Sequence, residues 1–178
     1  MSQTKTVVFS HLAMLLFSAL VAGSFPIGAR IANEIDPVAL TFGRFCLAVF
    51  LIGLFLFVRK EIKLKYFFRI WRYPLIGGCY VAYFVCMFEA LKTAGSISTA
   101  AIFTLMPFIS ICLDRVFFRI PTNKKMLLLL LVGAFGTLII IFKGSWQNLI
   151  TLNLSYGELI FFAGTFSHAV FVILVPKL

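Results

Sequence analysis

Three residues that can carry charge lie inside long apolar runs: Arg44 in VALTFGRFCLAVFLIGLFLF, Glu89 in YVAYFVCMFEAL and His168 in YGELIFFAGTFSHAVFVILVPKL. A guanidinium among apolar residues suits the holding of an anion, a carboxyl suits coupling to a proton or a cation, and an imidazole suits proton relay. Each also has a structural reading. Arg44 stands seven residues past Pro37, about 10 Å along a helix that rises ~1.5 Å per residue. From that depth its side chain either snorkels back to the interface or faces a bundle interior or a wet cavity. Glu89 precedes Lys92 by three residues, which makes an interfacial i,i+3 ion pair as natural as a role in coupling or solute contact. His168, about 16 Å into its run, is the deepest titratable residue. It either hydrogen-bonds a neighbouring helix or relays protons. His11, close to the start of its run, reads as interfacial.

Other polar residues share these runs. Cys79, Ala82 and Cys86 lead to Glu89 along a narrow small-residue face that admits a second helix closely. Tyr80 and Tyr83 lie on the adjoining face, as packing or as a cavity wall. In ISTAAIFTLMPFIS, residues 97–110, Pro107 falls in mid-run, removes one backbone donor and leaves the carbonyl of Phe103 without its helical partner. A kink is expected there, and Ser98, Thr99, Ala100, Ala101 and Thr104 ahead of it permit close packing and can satisfy freed backbone groups. The kink is either purely structural or the broken helix that transporters set at a binding site.

The elements that must position these residues follow from composition. The chain of 178 residues is 62% hydrophobic and 12% charged, and its mean hydropathy is +1.07, far above the half-apolar composition of soluble domains. It reads as an integral membrane protein whose first partner is the lipid bilayer. The net charge of +10 does not indicate nucleic acid, because the basic residues punctuate apolar runs instead of clustering with aromatics on one exposed face. A spanning helix needs about 20 mainly apolar residues. Charge-free runs between Lys5 and Arg30, Lys92 and Asp114, Lys125 and Lys143, and Glu158 and Lys177 meet that need. So do Val38–Val58 and Tyr73–Leu91, with one internal charge each. The expected fold class is therefore all-α, a polytopic membrane protein of six transmembrane helices, the shortest of them Met126–Phe142.

Lys5, the group Arg59, Lys60, Lys63, Lys65, Arg69 and Arg72, the group Arg115, Arg119, Lys124 and Lys125, and Lys177 all fall on one side of such a bundle. Only Arg30, Lys92 and Lys143 fall on the other. Basic residues stay cytoplasmic, so both termini are expected inside, at the inner (plasma) membrane of a bacterial-type cell. Val21-Ala22-Gly23 would make a passable signal-peptide cleavage site, but losing the first run would break the alternation of basic loops; an uncleaved first helix fits better. Cys46, Cys79, Cys86 and Cys112 lie within spans as small apolar fillers, with neither disulfide nor metal spacing. No metal and no cofactor are expected. Asn153-Leu154-Ser155 is a glycosylation sequon that matters only on a eukaryotic secretory route. No Walker motif is present, so ATP hydrolysis by this chain is not expected.

The order of VAGSFPIGARIANEIDPVALTFGRFCLA, FEALKTAGSISTAAIFTLMPFIS, a basic loop and GAFGTLIIIF resembles the EamA-type permeases of the drug/metabolite transporter superfamily, over essentially the whole chain. The resemblance implies ten helices in two five-helix repeats of opposite topology, moving small organic solutes by alternating access. It places the family's glycine-serine stretch on Gly23 and Ser24 and its helix-two arginine on Arg44. Its "AL" with following small residues falls on Ala90 to Ala101, and its helix-four proline on Pro107. It implies that Arg44 faces the central cavity or the packing around it. The residues along the solute path are then expected to be Arg44, Glu89, Tyr80, Tyr83, Ser24, Thr99 and His168, and Arg44 would suit an anionic or zwitterionic solute.

Two positions depart from that pattern. Arg119 in FFRIP stands where the family usually has an acidic residue, and Ser167-His168-Ala169 stands where it commonly has tryptophan before alanine. Residues 1–143 are expected to form the first five-helix repeat, and residues 144–178 a loop and the opening helix of an incomplete second one. Setting Val21-Ala22 beside His168-Ala169 also brings Arg30 opposite Lys177, a weak internal match. The expectation is thus the first half of a 5+5 inverted-repeat transporter. The chain is a fragment of a longer permease, a decayed gene product, or a half-sized protein that joins a second copy or another permease half. Two other readings stand beside it. One is a truncated, non-transporting membrane polypeptide. The other is an intramembrane hydrolase of the serine-histidine kind, although the serines occur in small-residue packing motifs without the glycine-flanked turn such a nucleophile needs.

Overall fold

Proline and short polar side chains punctuate the chain, and the helices begin and break where they fall. The structure, a computed structural model, describes residues 3–60, 70–145, 147 and 154–177. Lys63, Lys65, Arg69 and Asn153 of the sequon lie outside the described residues. Among the described residues the regular structure is all-helical: α1 Gln3–Ile31, α2 Pro37–Val58, α3 Arg72–Leu91, α4 Ser96–Phe103, α5 Met106–Phe118, α6 Lys124–Ile141 and α7 Tyr156–Leu174. With α4 and α5 forming one span, 6 helices are long and apolar enough to cross a membrane, and Lys124–Ile141, at 18 residues, is the shortest. The chain is a polytopic membrane protein.

Local chemistry explains the boundaries. The Asp36 carboxylate accepts from the N–H groups of Val38 at 2.9 Å and Ala39 at 3.0 Å, and Pro37 takes the first helical position, where its missing donor does no harm. Asn123 starts α6 in the same way, accepting from Lys125 N–H at 2.9 Å. Ser155 and Glu158 form a reciprocal capping box at the start of α7. It satisfies orphan donors that hydrocarbon could not. At the other end of α5, Arg119 adopts the left-handed region at φ 55° and closes the helix, with Pro121 beyond it. A basic residue at that position thus serves as the helix stop.

The fourth span is divided into α4 and α5 just before Pro107. Around it Thr104 N–H bonds Ala101 O and Leu105 N–H bonds Ile102 O, both at 3.0 Å, in tightened i−3 turns between α4 and α5. The Thr104 hydroxyl reaches the Thr137 hydroxyl on α6 at 2.6 Å, so the break is fastened to a neighbouring helix. A second proline, Pro26, lies inside α1. Two residues before it, the Ser24 hydroxyl donates back to Val21 O at 2.6 Å, a pattern that bends helices.

The tightest packing joins α3 and α7. A Cβ on Gly157 would stand 2.5 Å from the Ala90 carbonyl oxygen, and one on Gly164 would stand 2.7 Å from Cys86 Cβ. Two glycines seven residues apart lie on one stripe of a helix, and their missing side chains let the backbones approach. The Ser167 hydroxyl then bonds Cys79 O across the interface at 2.9 Å. Cys79 and Cys86 thus supply the small face expected of α3, whereas Ala82 points outward. The core under this contact is built from Phe25, Tyr83, Met87, Phe88, Ile102 and Phe161. At the basic end of the bundle, Leu113 of α5 packs on Ala169 and Ile173 of α7. There Lys177 pairs with Asp114 and sits 3.0 Å from the Phe118 ring centre.

Candidate solute-binding site

Arg44 projects from α2 towards the aromatic face of α3. Its guanidinium carbon stands 4.7 Å from the Phe84 ring centre and 5.2 Å from that of Phe88. Among the described residues no carboxylate pairs with it. Ring faces partly compensate the removal of a cation from water, but they leave the N–H edges of the guanidinium open. Beside it lies a cavity of about 210 Å³ lined by Thr41, Arg44, Phe45, Ala48, Tyr80 and Phe84. Thr41 is buried and donates to Pro37 O at 2.7 Å, so its hydroxyl hydrogen is already committed.

Behind this cavity the aromatic rings form a continuous series. Tyr80 packs on Phe45 at 5.9 Å, edge-on to Phe84 at 5.0 Å and stacked on Phe171 of α7 at 4.6 Å. Tyr80 also meets His168, ring centres 5.6 Å apart, and Tyr83 meets the same imidazole edge-on at 4.5 Å. Phe103, the last residue before the break in the fourth span, closes on His168 at 5.5 Å. Each pair adds about 0.5–1.5 kcal/mol beyond burial. Together they hold four elements, α2, α3, α4 and α7, in one arrangement. Within it His168 Nδ1 is buried with no hydrogen-bond partner among the described residues. An orphaned polar atom at membrane depth is costly enough to call for an explanation.

Of the residues singled out in the sequence, Arg44, Tyr80, Tyr83 and His168 come together here. The others do not. Glu89 forms an ion pair with Lys92 at 2.8 Å at the end of α3, with both side chains partly exposed. Ser24 is engaged within α1. Thr99 is fully buried in α4 and bonds back to Ser96 O at 3.0 Å. Sequence reasoning missed Phe45, Phe84 and Phe171. Phe84 follows Tyr80 by four residues and Phe171 follows His168 by three, the neighbour separations of a helix, but in a chain with 22 phenylalanines such spacing singles out no pair. A second groove of about 350 Å³ runs between α1, α4 and α6 past Phe25, Pro26, Ala100 and Thr104. None of the charged candidates lines it.

The fold and the site can now be set beside known proteins. The chain is 25% identical over 166 residues to the uncharacterized transporter YyaM of Bacillus subtilis (strain 168), an alignment that takes in 92% of this chain and 54% of that protein. The chain therefore spans about half the length of this curated relative. No solved structure matches it. Residues 8–142, from the first turns of α1 to the end of α6, match the EamA-like transporter family, and the chain belongs to that family.

Proposed function

We propose that this chain is a secondary transporter, or the N-terminal portion of one, that moves a small organic solute by alternating access without hydrolysing ATP. Family membership supports transport in general. The observation that carries the site is Arg44: an exposed guanidinium without a carboxylate partner among the described residues, beside an open cavity between two membrane-spanning helices, α2 and α3. Such a charge is expensive to keep in a membrane and usually faces a solute or ion path. In this reading Arg44 holds the solute, Tyr80 and Phe84 shape the wall, and His168 and Tyr83 lie behind Tyr80 in the ring series. The break before Pro107 would give the bundle a place to flex beside the site. Ser167, the neighbour of His168, directs its hydroxyl to Cys79 O and not to the imidazole, which gives the hydrolase reading no support.

Residues 1–143 would form the first five-helix repeat, and α7 would open a second repeat of opposite topology. The length of the Bacillus relative supports a functional unit that includes further helices, contributed by a longer chain, a second copy or another permease half. The unit would lie in the inner membrane with both termini in the cytoplasm.

The test of the site is solute uptake by cells and by proteoliposomes carrying Arg44→Ala at unchanged expression. Uptake should fall at least about tenfold, the loss of one charge-assisted contact. Undiminished uptake would assign Arg44 to snorkelling.

A further inference from the structure

Resting on that transport reading, we propose that the cavity between α2 and α3 binds a small organic carboxylate with one flat apolar ring, its carboxylate on Arg44 and its ring against Tyr80 and Phe84. Four observations define the ligand. Charge comes first: the wall of the cavity carries a guanidinium, and neither of the ion pairs formed among the described residues involves it. Geometry comes second. Phe84 and Phe88 lie against Arg44 within 4.7 and 5.2 Å, which fixes the fork in place while its N–H edges stay available for a planar two-oxygen acceptor. Shape comes third, because Phe45, Tyr80 and Phe84 supply ring surfaces and Ala48 leaves room between them. Size comes last. At about 210 Å³ the cavity falls below the roughly 300–1,000 Å³ of sites for drug-sized molecules, so a single-ring solute fits its scale.

The polar inventory also argues against other classes. No acidic side chain lines the cavity to hold an amine, and the Thr41 hydroxyl already donates within its own helix. A sugar would find few partners among these rings. An anionic lipid headgroup offers the same charge to Arg44 as a free carboxylate, and the experiment must separate the two.

Binding is measured with radiolabelled benzoate on the purified full chain, once in phosphatidylcholine nanodiscs and once in phosphatidylglycerol nanodiscs. Benzylamine, of like shape and opposite charge, and acetate, which lacks the ring, serve as competitors. Saturable benzoate binding that benzylamine does not displace and acetate displaces only weakly is the expected result. Arg44→Ala should weaken it at least about tenfold, Arg44→Lys less, and Arg59→Ala not at all. Ala48→Leu, which fills the cavity and leaves the charge in place, should abolish it. Benzoate binding that survives both Arg44→Ala and Ala48→Leu overturns the proposal. So does an absence of benzoate binding combined with Arg44-dependent retention of phosphatidylglycerol, which would give the site to a lipid headgroup. Uptake is read separately in proteoliposomes. Site-dependent benzoate binding without transport of any solute, by the chain alone or joined to a second permease half, upholds the cavity and overturns the transport reading. Transport of another solute with no benzoate binding upholds transport and overturns the cavity's assignment.

Discussion

His168 shows what a single side chain contributes at this depth. Its ring is held by Tyr80, Tyr83, Phe103 and Phe171, and its Nδ1 is buried without a partner among the described residues. A residue kept only for packing would serve better as phenylalanine, which offers the same ring contacts and no polar atom to desolvate. His168→Phe is therefore expected to raise stability by about 1 kcal/mol, the lower part of the range for removing an unsatisfied buried group. Thermal unfolding in detergent measures it. A fall in the midpoint would mean that Nδ1 has a polar partner in the membrane and that the imidazole is structural. If stability rises while uptake falls, the histidine is retained at the expense of stability for its part in transport. Arg44 and His168 were legible as candidates because charge in an apolar run stands out by type alone. The ring series connecting them was not, because the chain has 22 phenylalanines and a membrane helix places phenylalanine on lipid-facing and inward faces alike, so periodicity gives no signal.

The helices themselves were largely written in the sequence. Apolar runs between charges marked all six spans, and Pro107 marked the break that separates α4 from α5. Caps such as Asp36 with Pro37 set boundaries by local hydrogen bonding that no tertiary contact has to supply. Which helix lies against which was not legible, because it depends on pairs of faces. Gly157 and Gly164 acquire meaning only when Ala90 and Cys86 of α3 are known to face them. This interface makes a contrast between glycines. Gly157→Ala places a methyl against the Ala90 carbonyl oxygen and should destabilise the protein by about 1–3 kcal/mol, the range for overpacking. Gly43, in the second turn of α2, has nothing within 4 Å of where a Cβ would stand, and Gly43→Ala should be neutral or stabilising by up to about 1 kcal/mol through helix propensity. Thermal melts of the two variants in the same detergent make the comparison. Equal shifts would mean that α7 does not pack on α3 through this stripe.

At the scale of the whole molecule, the exposed apolar faces of α1 and α2 are what a bilayer requires, and the side on which each loop lies is set by basic residues. Six crossings place the two ends of the chain on one side. Arg59, Lys60, Arg115, Arg119, Lys124, Lys125 and Lys177 gather at that same end of the bundle, with Arg30, Lys92 and Lys143 opposite. Translocating the richer end would drag many strongly hydrated charges through the membrane, so it is expected to remain cytoplasmic. Asp114 and Lys177, paired at this end, would then sit at the cytoplasmic mouth of the bundle, and Glu89 with Lys92 at the opposite one. Reporter fusions test the arrangement in cells. Alkaline phosphatase fused after Lys177 should be inactive and green fluorescent protein fused there should fluoresce, whereas alkaline phosphatase fused in the loop after Lys143 should be active. The reverse pattern would invert the bundle. Activity at both positions would mean that Tyr156–Leu174, the span between them, does not cross; a reversal with the N-terminus still inside would mean that a span before Lys143 fails to cross, and Lys124–Ile141, the shortest, would be the first to examine.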